Sequence, residues 1–193
     1  MKSVVKILQA LELGETVILP TDTLNGLSCD ATSKTAVQNL RNLKKMSNEK
    51  PISVMFADIE TLQNWIEIPP KFTKLLDFLP GALTIIGNAK QDLPVVSEQN
   101  TLGCRVPNHP ITLEICATFG KPITTTSVNI SGFPSVANCR NLPTEMKARI
   151  DQIIWDDNLK QSNGSTIVDI SSGELVVLRT GILPFESLAC KVL

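Results

Sequence analysis

The stretch Lys121 to Gly132 (KPITTTSVNISG) constrains this chain more than any other. Six small polar side chains, Thr124, Thr125, Thr126, Ser127, Asn129 and Ser131, follow directly behind a proline and an isoleucine. In an extended chain successive side chains alternate faces, so Thr125, Ser127 and Asn129 share one face while Thr124, Thr126 and Val128 take the other. The result is a short row of hydroxyls and an amide on one side of a strand. The same pattern also suits an ordinary edge strand, because threonine favours pleated surfaces and Ser131-Gly132 favours a turn.

The chain has 193 residues, 42% of them hydrophobic and 19% charged, with a net charge of -1. These values describe one globular domain, 1–193, with room for a buried core. No apolar run approaches the roughly 18 residues that would span a bilayer, and Met1 to Leu13 lacks a signal-peptide core. A cytoplasmic, membrane-free protein is expected. Five cysteines (Cys29, Cys104, Cys116, Cys139, Cys190) without a C-x-x-C pair suggest neither a disulfide framework nor zinc. His109 is the single histidine, so histidine-rich metal sites are excluded, and no metal-ligand set is expected. The near-neutral charge argues against a protein that coats nucleic acid, though not against a local basic pocket.

Lys2 to Leu13 carries Val5, Leu8 and Leu11 at helical spacing, with Gly14 as a stop. Thr16 to Leu19 reads as a buried strand that ends in a hydroxyl-rich loop, Pro20 to Leu27, in which Asp and Thr suit turn chemistry. From the N-cap candidate Ser33, the residues Ala36, Val37, Leu40 and Leu43 mark an amphipathic helix. Between Lys34 and Lys50 five cations (Lys34, Arg41, Lys44, Lys45, Lys50) meet one acid, Glu49, for a local charge of +4. On a helical wheel Lys34, Arg41 and Lys45 share the polar face, which predicts solvation. Lys44 falls at the edge of the apolar stripe and is the candidate to reach into a cleft.

Pro51 to Ala57 reads as a second strand, and Asp58 as a cap for a helix holding Ile59, Leu62, Trp65 and Ile66. A further helix carries Phe72, Leu75, Leu76 and Leu79, and Pro80-Gly81 turns into a strand over 82–86. Lys90 to Gly103 reads as a long surface loop. Cys104 to Pro107 is a short strand whose Arg105 needs a carboxylate or phosphate partner if buried; a structural Asp or Glu would serve equally. His109 suits a turn or cap. A helix from Ile111 to Phe119 ends at Gly120. Beyond the threonine-rich stretch come a short helix near Pro143 to Ile150, a strand at Ile153 to Trp155, and a hairpin joining 167–170 to 174–179.

Walker A, G-x-G-x-x-G, H-E-x-x-H and G-x-S-x-G motifs are all absent. Ser127 has no adjacent base to activate it. What remains is an inventory of hydroxyls, one amide, two strand arginines and two lysines. Such groups suit the binding of anions by positioned donors, the means by which phosphoryl and nucleotidyl transfer are promoted.

Ordered blocks from Ile18 to Gly181 carry a resemblance. They are Ile18-Leu-Pro-Thr-Asp-Thr-Leu-Asn-Gly-Leu27, Lys44 through Lys50-Pro51, Pro80-Gly-Ala-Leu-Thr84, Arg105-Val-Pro107, Thr126-Ser-Val-Asn-Ile-Ser-Gly132, Ser165-Thr-Ile-Val-Asp169 and Leu178-Arg-Thr-Gly181. Together they resemble the YrdC-like threonylcarbamoyl-AMP synthase family, in its short, single-domain branch. The resemblance implies an α/β fold: an open, twisted, mixed sheet curled around a basic cavity, with helices outside. It implies a reaction in which L-threonine and bicarbonate form a carbamate that attacks the α-phosphate of ATP, releasing pyrophosphate and threonylcarbamoyl-AMP. A downstream threonylcarbamoyl transferase complex would use that product to modify tRNA, and contact with tRNA or double-stranded RNA is a further expectation. By the same resemblance Thr23, Arg105, Thr125 and Ser165 would hold threonine. Lys50, Thr101, Ser127, Asn129, Ser135 and Arg179 would hold ATP, and Lys44 would offset phosphate charge as the catalytic cation. Magnesium is implied by ATP, without a visible protein ligand set.

Two positions depart from the family pattern. The K-x-R motif reads Lys44-Lys45-Met46, so methionine stands where the family carries arginine. Losing one preorganised donor of that kind costs about 2.7 to 4 kcal/mol. Asn25 replaces an aromatic residue of PTDTVYGL, which removes a packing wall. These departures motivate an alternative, a paralogue that binds nucleotide or structured RNA with weak or altered activity. A third class is a structural module with a threonine-rich edge.

Overall fold

Helix α1 (Lys2–Glu12) buries Ile7, Ala10 and Leu11 and packs Leu8 and Val4 against the same core, so Leu8 and Leu11 lie on the apolar stripe as read and Val5 does not. Gly14 ends the turn with φ +74, a conformation glycine adopts without steric cost. The computed structural model describes residues 2–136, 138–150, 152–159 and 163–192; the side chains of Lys2 and 189–192 are outside it too. Met1, Gln161, Ser162 and the Cys190 side chain therefore lie outside the described residues.

Eight strands follow, interleaved with helices: β1 (Val17–Pro20), β2 (Asn25–Ser28), β3 (Ser53–Met55), β4 (Leu83–Asn88), β5 (Thr101–Arg105), β6 (Ile123–Ser127), β7 (Thr166–Asp169) and β8 (Val176–Arg179). They form one mixed sheet in the order β1-β2-β6-β3-β5-β4-β7-β8. The β3–β5 and β4–β7 pairs are parallel and the rest antiparallel. β1 and β2 are buried along their whole length, as the continuous apolar run of β1 requires, whereas β6 is only half-buried towards its end. Val17 and Leu19 of β1, Met55 of β3 and Ile123 of β6 pack with α1 and with α4 (Pro110–Phe119). Ile18, Leu27 and Val54 point the other way, into the larger core that also takes Leu40 and Leu43 of α2 (Lys34–Lys44). Ser33 caps α2, its hydroxyl accepting from the Ala36 N–H at 3.2 Å, and Asp58 caps α3 (Ile59–Gln63) from the Thr61 N–H at 2.7 Å.

Several expectations shift. The threonine-rich strand β6 is interior, paired with β2 on one side and β3 on the other, so the edge-strand reading fails. The hydroxyl-rich loop is shorter than expected, because Asn25 to Ser28 leave it to form β2; pairing with two neighbours overrides the turn preference of Asn-Gly. Residues 70–78 form a 3-10 helix, and Ile153 makes only an isolated bridge to Ile18 rather than a strand. The surface loop after Lys90 buries Leu93 and Val95 and gives way to β5 at Thr101. A short α5 (Thr144–Lys147) matches the helix read there, while the closing α6 (Phe185–Val192) carries no signal noted in the sequence.

Thr124 shows why the two faces of β6 differ. Its hydroxyl is fully buried and accepts from the Cys29 N–H at 2.8 Å, tying β6 to the end of β2. Replacing it with the isosteric valine leaves that N–H orphaned, which costs about 1–3 kcal/mol. Thr124→Val is therefore expected to lower the unfolding free energy from urea titration by that amount, whereas Thr125→Val, on the half-buried face, is expected to change it far less; equal losses would contradict the assignment of faces.

Candidate functional site

The loop between β1 and β2 is shaped by one hydroxyl. Thr21 Oγ1 donates to the Leu24 carbonyl at 2.7 Å and accepts from the N–H groups of Thr23 and Leu24, both at 3.2 Å. This side-chain turn presents Asp22 and Thr23 to Arg105. Arg105 is buried at the end of β5, donating from Nη2 to Asp22 Oδ1 at 2.6 Å and from Nη1 to Thr23 Oγ1 at 3.1 Å. Asp22 also accepts from the Asn108 N–H at 3.2 Å. Burial lowers the Arg105 pKa, the Asp22 carboxylate opposes that shift, and the nearby Arg179 charge adds to it. The carboxylate partner that a buried strand arginine demands is thus Asp22, and Arg105 Nε is a buried donor with no partner among the described residues.

Lys44 is 2% exposed at the last turn of α2. Its ammonium donates to the Ser127 carbonyl, to the Asn129 carbonyl at 3.2 Å and to Asn129 Oδ1 at 2.7 Å. An ammonium has three donors, so all are engaged at the exit of β6. Ser127 Oγ donates to the same Asn129 oxygen at 2.7 Å. Lys44 therefore clamps the Ser127-x-Asn129 segment and acts on the cavity through its field rather than through a spare N–H. Burial first, and then the Lys50 charge, push its pKa down to about 7. Its partner Lys45 takes a left-handed backbone at φ 51 and pairs with exposed Glu145 at 3.1 Å, pointing away from the cavity. Arg41, expected to be solvated, is 5% exposed, because the chain after α2 folds back over it. Lys34 is exposed as expected.

On the far side, two chain segments cross. Arg179 of β8 donates from Nε and Nη2 to the Ser165 carbonyl at 3.1 and 2.8 Å, and Ser165 Oγ lies 2.8 Å from Thr84 Oγ1. The approach is close enough that a Cβ on Gly181 would sit 2.3 Å from the Gly164 carbonyl oxygen, so only glycine fits there. The Ile182 N–H seals the crossing on the Gly164 carbonyl at 2.9 Å.

Thr21, Thr23, Arg105, Lys44, Ser127, Asn129, Thr84, Ser165 and Arg179 open on a cavity of about 360 Å³. Its walls draw residues from β2 through β8: Asn25 and Gly26, Ser53, Thr84, Arg105, Thr125 to Ser127, Ile167 and Arg179. Seven adjacent strands laid flat would span roughly 29 Å at about 4.8 Å per spacing. Their convergence on one cavity shows that the sheet curls. Four cations, Lys44, Lys50, Arg105 and Arg179, line it with no carboxylate among the lining residues.

Thr23, Lys44, Lys50, Arg105, Thr125, Ser127, Asn129, Ser165 and Arg179 all meet at this cavity. Thr101 does not: it starts β5, four residues and roughly 13 Å along the strand from Arg105, and its hydroxyl pairs with Ser97 Oγ at 2.7 Å. Ser135 also stands outside the walls, its buried hydroxyl without a partner among the described residues. Thr126, assigned to the structural face, borders the cavity after all, where β6 ends and the alternation loosens. Thr21, Ser53, Thr84 and Ser131 are walls that the sequence reading did not single out. Ser131 was within reach, being the next member of the 125, 127, 129 series. Asn25 borders the cavity, and its amide exchanges two 3.0 Å hydrogen bonds with the backbone of Asp156, so the polar residue anchors the 153–158 segment.

The family model for Sua5, YciO and YrdC, described as "Telomere recombination", matches residues 9–181. The chain belongs to the Sua5/YciO/YrdC family. A relative from Methanocaldococcus jannaschii, named "Putative threonylcarbamoyl-AMP synthase", is 34% identical over 177 residues, which cover 91% of this chain and 84% of the relative. The crystal structure of P. abyssi Sua5 complexed with L-threonine superposes with a TM-score of 0.90 at 26% identity, covering 98% of this chain and 57% of that one. The chain thus spans just over half the length of the Sua5 chain it matches. E. coli YciO shares the fold, with a TM-score of 0.85 at 22% identity over 94% of this chain and 90% of that one.

The low Lys44 pKa has a stability consequence. Between about 7 and the ordinary 10.5 the unfolded chain holds this proton and the folded chain does not, so stability rises with pH across that window and the full penalty of burying the charge is felt below it. Lys44→Met is expected to flatten the rise in urea stability from pH 7 to 10; an unchanged slope would contradict a proton loss at Lys44.

Proposed function

We propose that this chain is a threonylcarbamoyl-AMP synthase. The observation that carries the reading is the cavity itself: four cations and a row of hydroxyls with no lining carboxylate, in a member of this family. The names of the relatives and the threonine complex of P. abyssi Sua5 point the same way and favour the synthase over a paralogue without turnover.

In the proposed reaction the threonine amine and bicarbonate condense to a carbamate with loss of water. A carbamate oxygen then forms a bond to the α-phosphorus of ATP, the bond to the β-phosphate oxygen breaks, and pyrophosphate departs with its electron pair. The two species that react in the transfer, the carbamate and ATP, are both anions, so the chain's task is to hold them together and offset their repulsion. Arg105, with Thr23 beside it, is the donor pair for the threonine carboxylate, and Thr125 and Ser165 complete that side. Asp22 fixes the guanidinium plane, and a planar fork suits a carboxylate. Ser127 and Asn129, held by Lys44, and Lys50 and Arg179 face the nucleotide phosphates. Magnesium enters as the ATP complex. Among the described residues no group of three His, Cys, Asp or Glu could hold a metal ion, and no carboxylate is among the residues that line the cavity.

The setting we propose is the cytoplasm, with the product passed to a tRNA-modifying transferase complex. Among the described residues no helix is long and apolar enough to cross a membrane. Cys29, Cys104, Cys116 and Cys139 are free thiols, which suits a reducing compartment.

The deciding experiment incubates the protein with ATP, magnesium, bicarbonate and L-threonine and follows pyrophosphate. Threonine-dependent release is expected, and its absence across conditions would overturn the reading. Met46, 8% exposed and part of the cavity wall, supplies a second check. Met46→Arg is expected to raise turnover, by at most about 10²-fold, while lowering stability by roughly 1–3 kcal/mol through overpacking. Unchanged turnover would mean that methionine does not limit the reaction.

A further inference from the structure

Arg41 is a buried cation with no carboxylate in ion-pair range among the described residues. Such a group is tolerated only when its donors are matched. Its Nη1 donates to the Ser47 carbonyl and to the Lys50 carbonyl, each at 2.8 Å, and its own carbonyl accepts the Met46 N–H at 3.0 Å. All three contacts fall on the irregular segment joining α2 to β3. That segment is also a wall of the cavity, through Met46, Lys50, Pro51 and Ile52.

The four lining cations are not equivalent. Lys44 has committed its three donors to Ser127 and Asn129. Arg105 is offset by Asp22, and Arg179 is engaged with Ser165. Lys50 stands apart: it is exposed, and its ammonium reaches across to a neutral hydroxyl, Ser131 Oγ, at 3.1 Å. A neutral acceptor is readily exchanged for an anionic one, since hydrogen bonds to charged groups are the stronger. Lys50 is therefore the cation best able to take up a phosphate, provided its backbone is held.

We propose that Arg41 is a positioning residue for Lys50, closing residues 46–50 into a fixed loop so that the Lys50 ammonium meets the polyphosphate of the nucleotide at the cavity mouth. This rests on the nucleotide reading of the site. The guanidinium pre-orders the loop and so removes an ordering cost from binding. Arginine suits the task because the two N–H bonds of Nη1 lie fixed in the guanidinium plane and set two carbonyls in one geometry while the group remains charged when buried; lysine offers only a point charge.

The test uses the full chain and magnesium ATP, with affinity from calorimetry. Arg41→Met is expected to weaken ATP binding about tenfold, as Lys50→Ala does. The double variant Arg41→Met/Lys50→Ala is expected to bind no more weakly than Lys50→Ala alone, because both act through one contact. The KM for L-threonine in the pyrophosphate assay should stay within about twofold. Arg41→Lys should recover part of the loss, and the amides of residues 46–50 should exchange faster in Arg41→Met than in the parent. Should Arg41→Met not fold, Arg41→Lys and Arg41→Gln carry the same comparison. ATP affinity unchanged in a folded Arg41 variant, or additive losses in the double variant, would overturn the proposal alone. A parent protein that binds no ATP would overturn the nucleotide reading and the proposal with it.

Discussion

The ammonium of Lys44 links the parts that make the cavity. It projects from the last turn of α2, passes beneath the surface, and ends among three oxygens at the exit of β6. Burying a charge is costly, and here the cost is contained because each donor finds an acceptor. The same contacts hold Ser127 and Asn129 at fixed spacing, and the Ser131 N–H returns a hydrogen bond to the Lys44 carbonyl at 2.8 Å. Helix, strand exit and following loop therefore behave as one unit. Loss of the ammonium would release the strand exit from the helix as well as remove a charge.

The electrostatics of the cavity follow from how each cation is compensated. Asp22 neutralises Arg105 locally and sets the direction of its guanidinium, which favours recognition of a planar carboxylate over simple attraction. Lys44 contributes field, Arg179 sits on a crossing that only Gly181 permits, and Lys50 bridges to a hydroxyl that an anion can displace. A site built this way separates its roles: a fixed, paired donor on one side, and less compensated charge on the other. That asymmetry suits two anionic substrates of different size brought together for a transfer between them.

Much of the site was visible in the order of residues. Strand alternation put Thr125, Ser127 and Asn129 on one face, and the helical wheel singled out Lys44 from its neighbours. Arg105 carried its own demand for a partner. The same wheel failed for Arg41, because a helical wheel assumes solvent beyond the polar face and contains no record of the chain turning back over it. It was the family resemblance that suggested Thr101 and Ser135; register places Thr101 at the end of β5 away from the cavity, and Ser135, in the irregular chain after β6, stands outside the walls too. β2 was hidden because Asn25 to Leu27 were read into the hydroxyl-rich loop, whereas two strand partners draw them into the sheet.

The sequence by itself determined what depends on neighbours a few residues away: the period of elements such as α2, β1 and β6, the caps at Ser33 and Asp58, and the chemistry of each candidate donor. Its ordered blocks also sufficed to imply the family. Only the tertiary structure decided which donors are spent and which remain, since Lys44, Arg105, Arg179 and Lys50 look alike as charges and differ in their partners across more than 80 residues of chain for Lys44–Asn129 and Arg105–Asp22. It also decided that Ile123–Ser127, within KPITTTSVNISG, is an interior strand. Hydrogen-bond partners on both sides, contributed by β2 and β3, are long-range facts that no local pattern of threonines encodes.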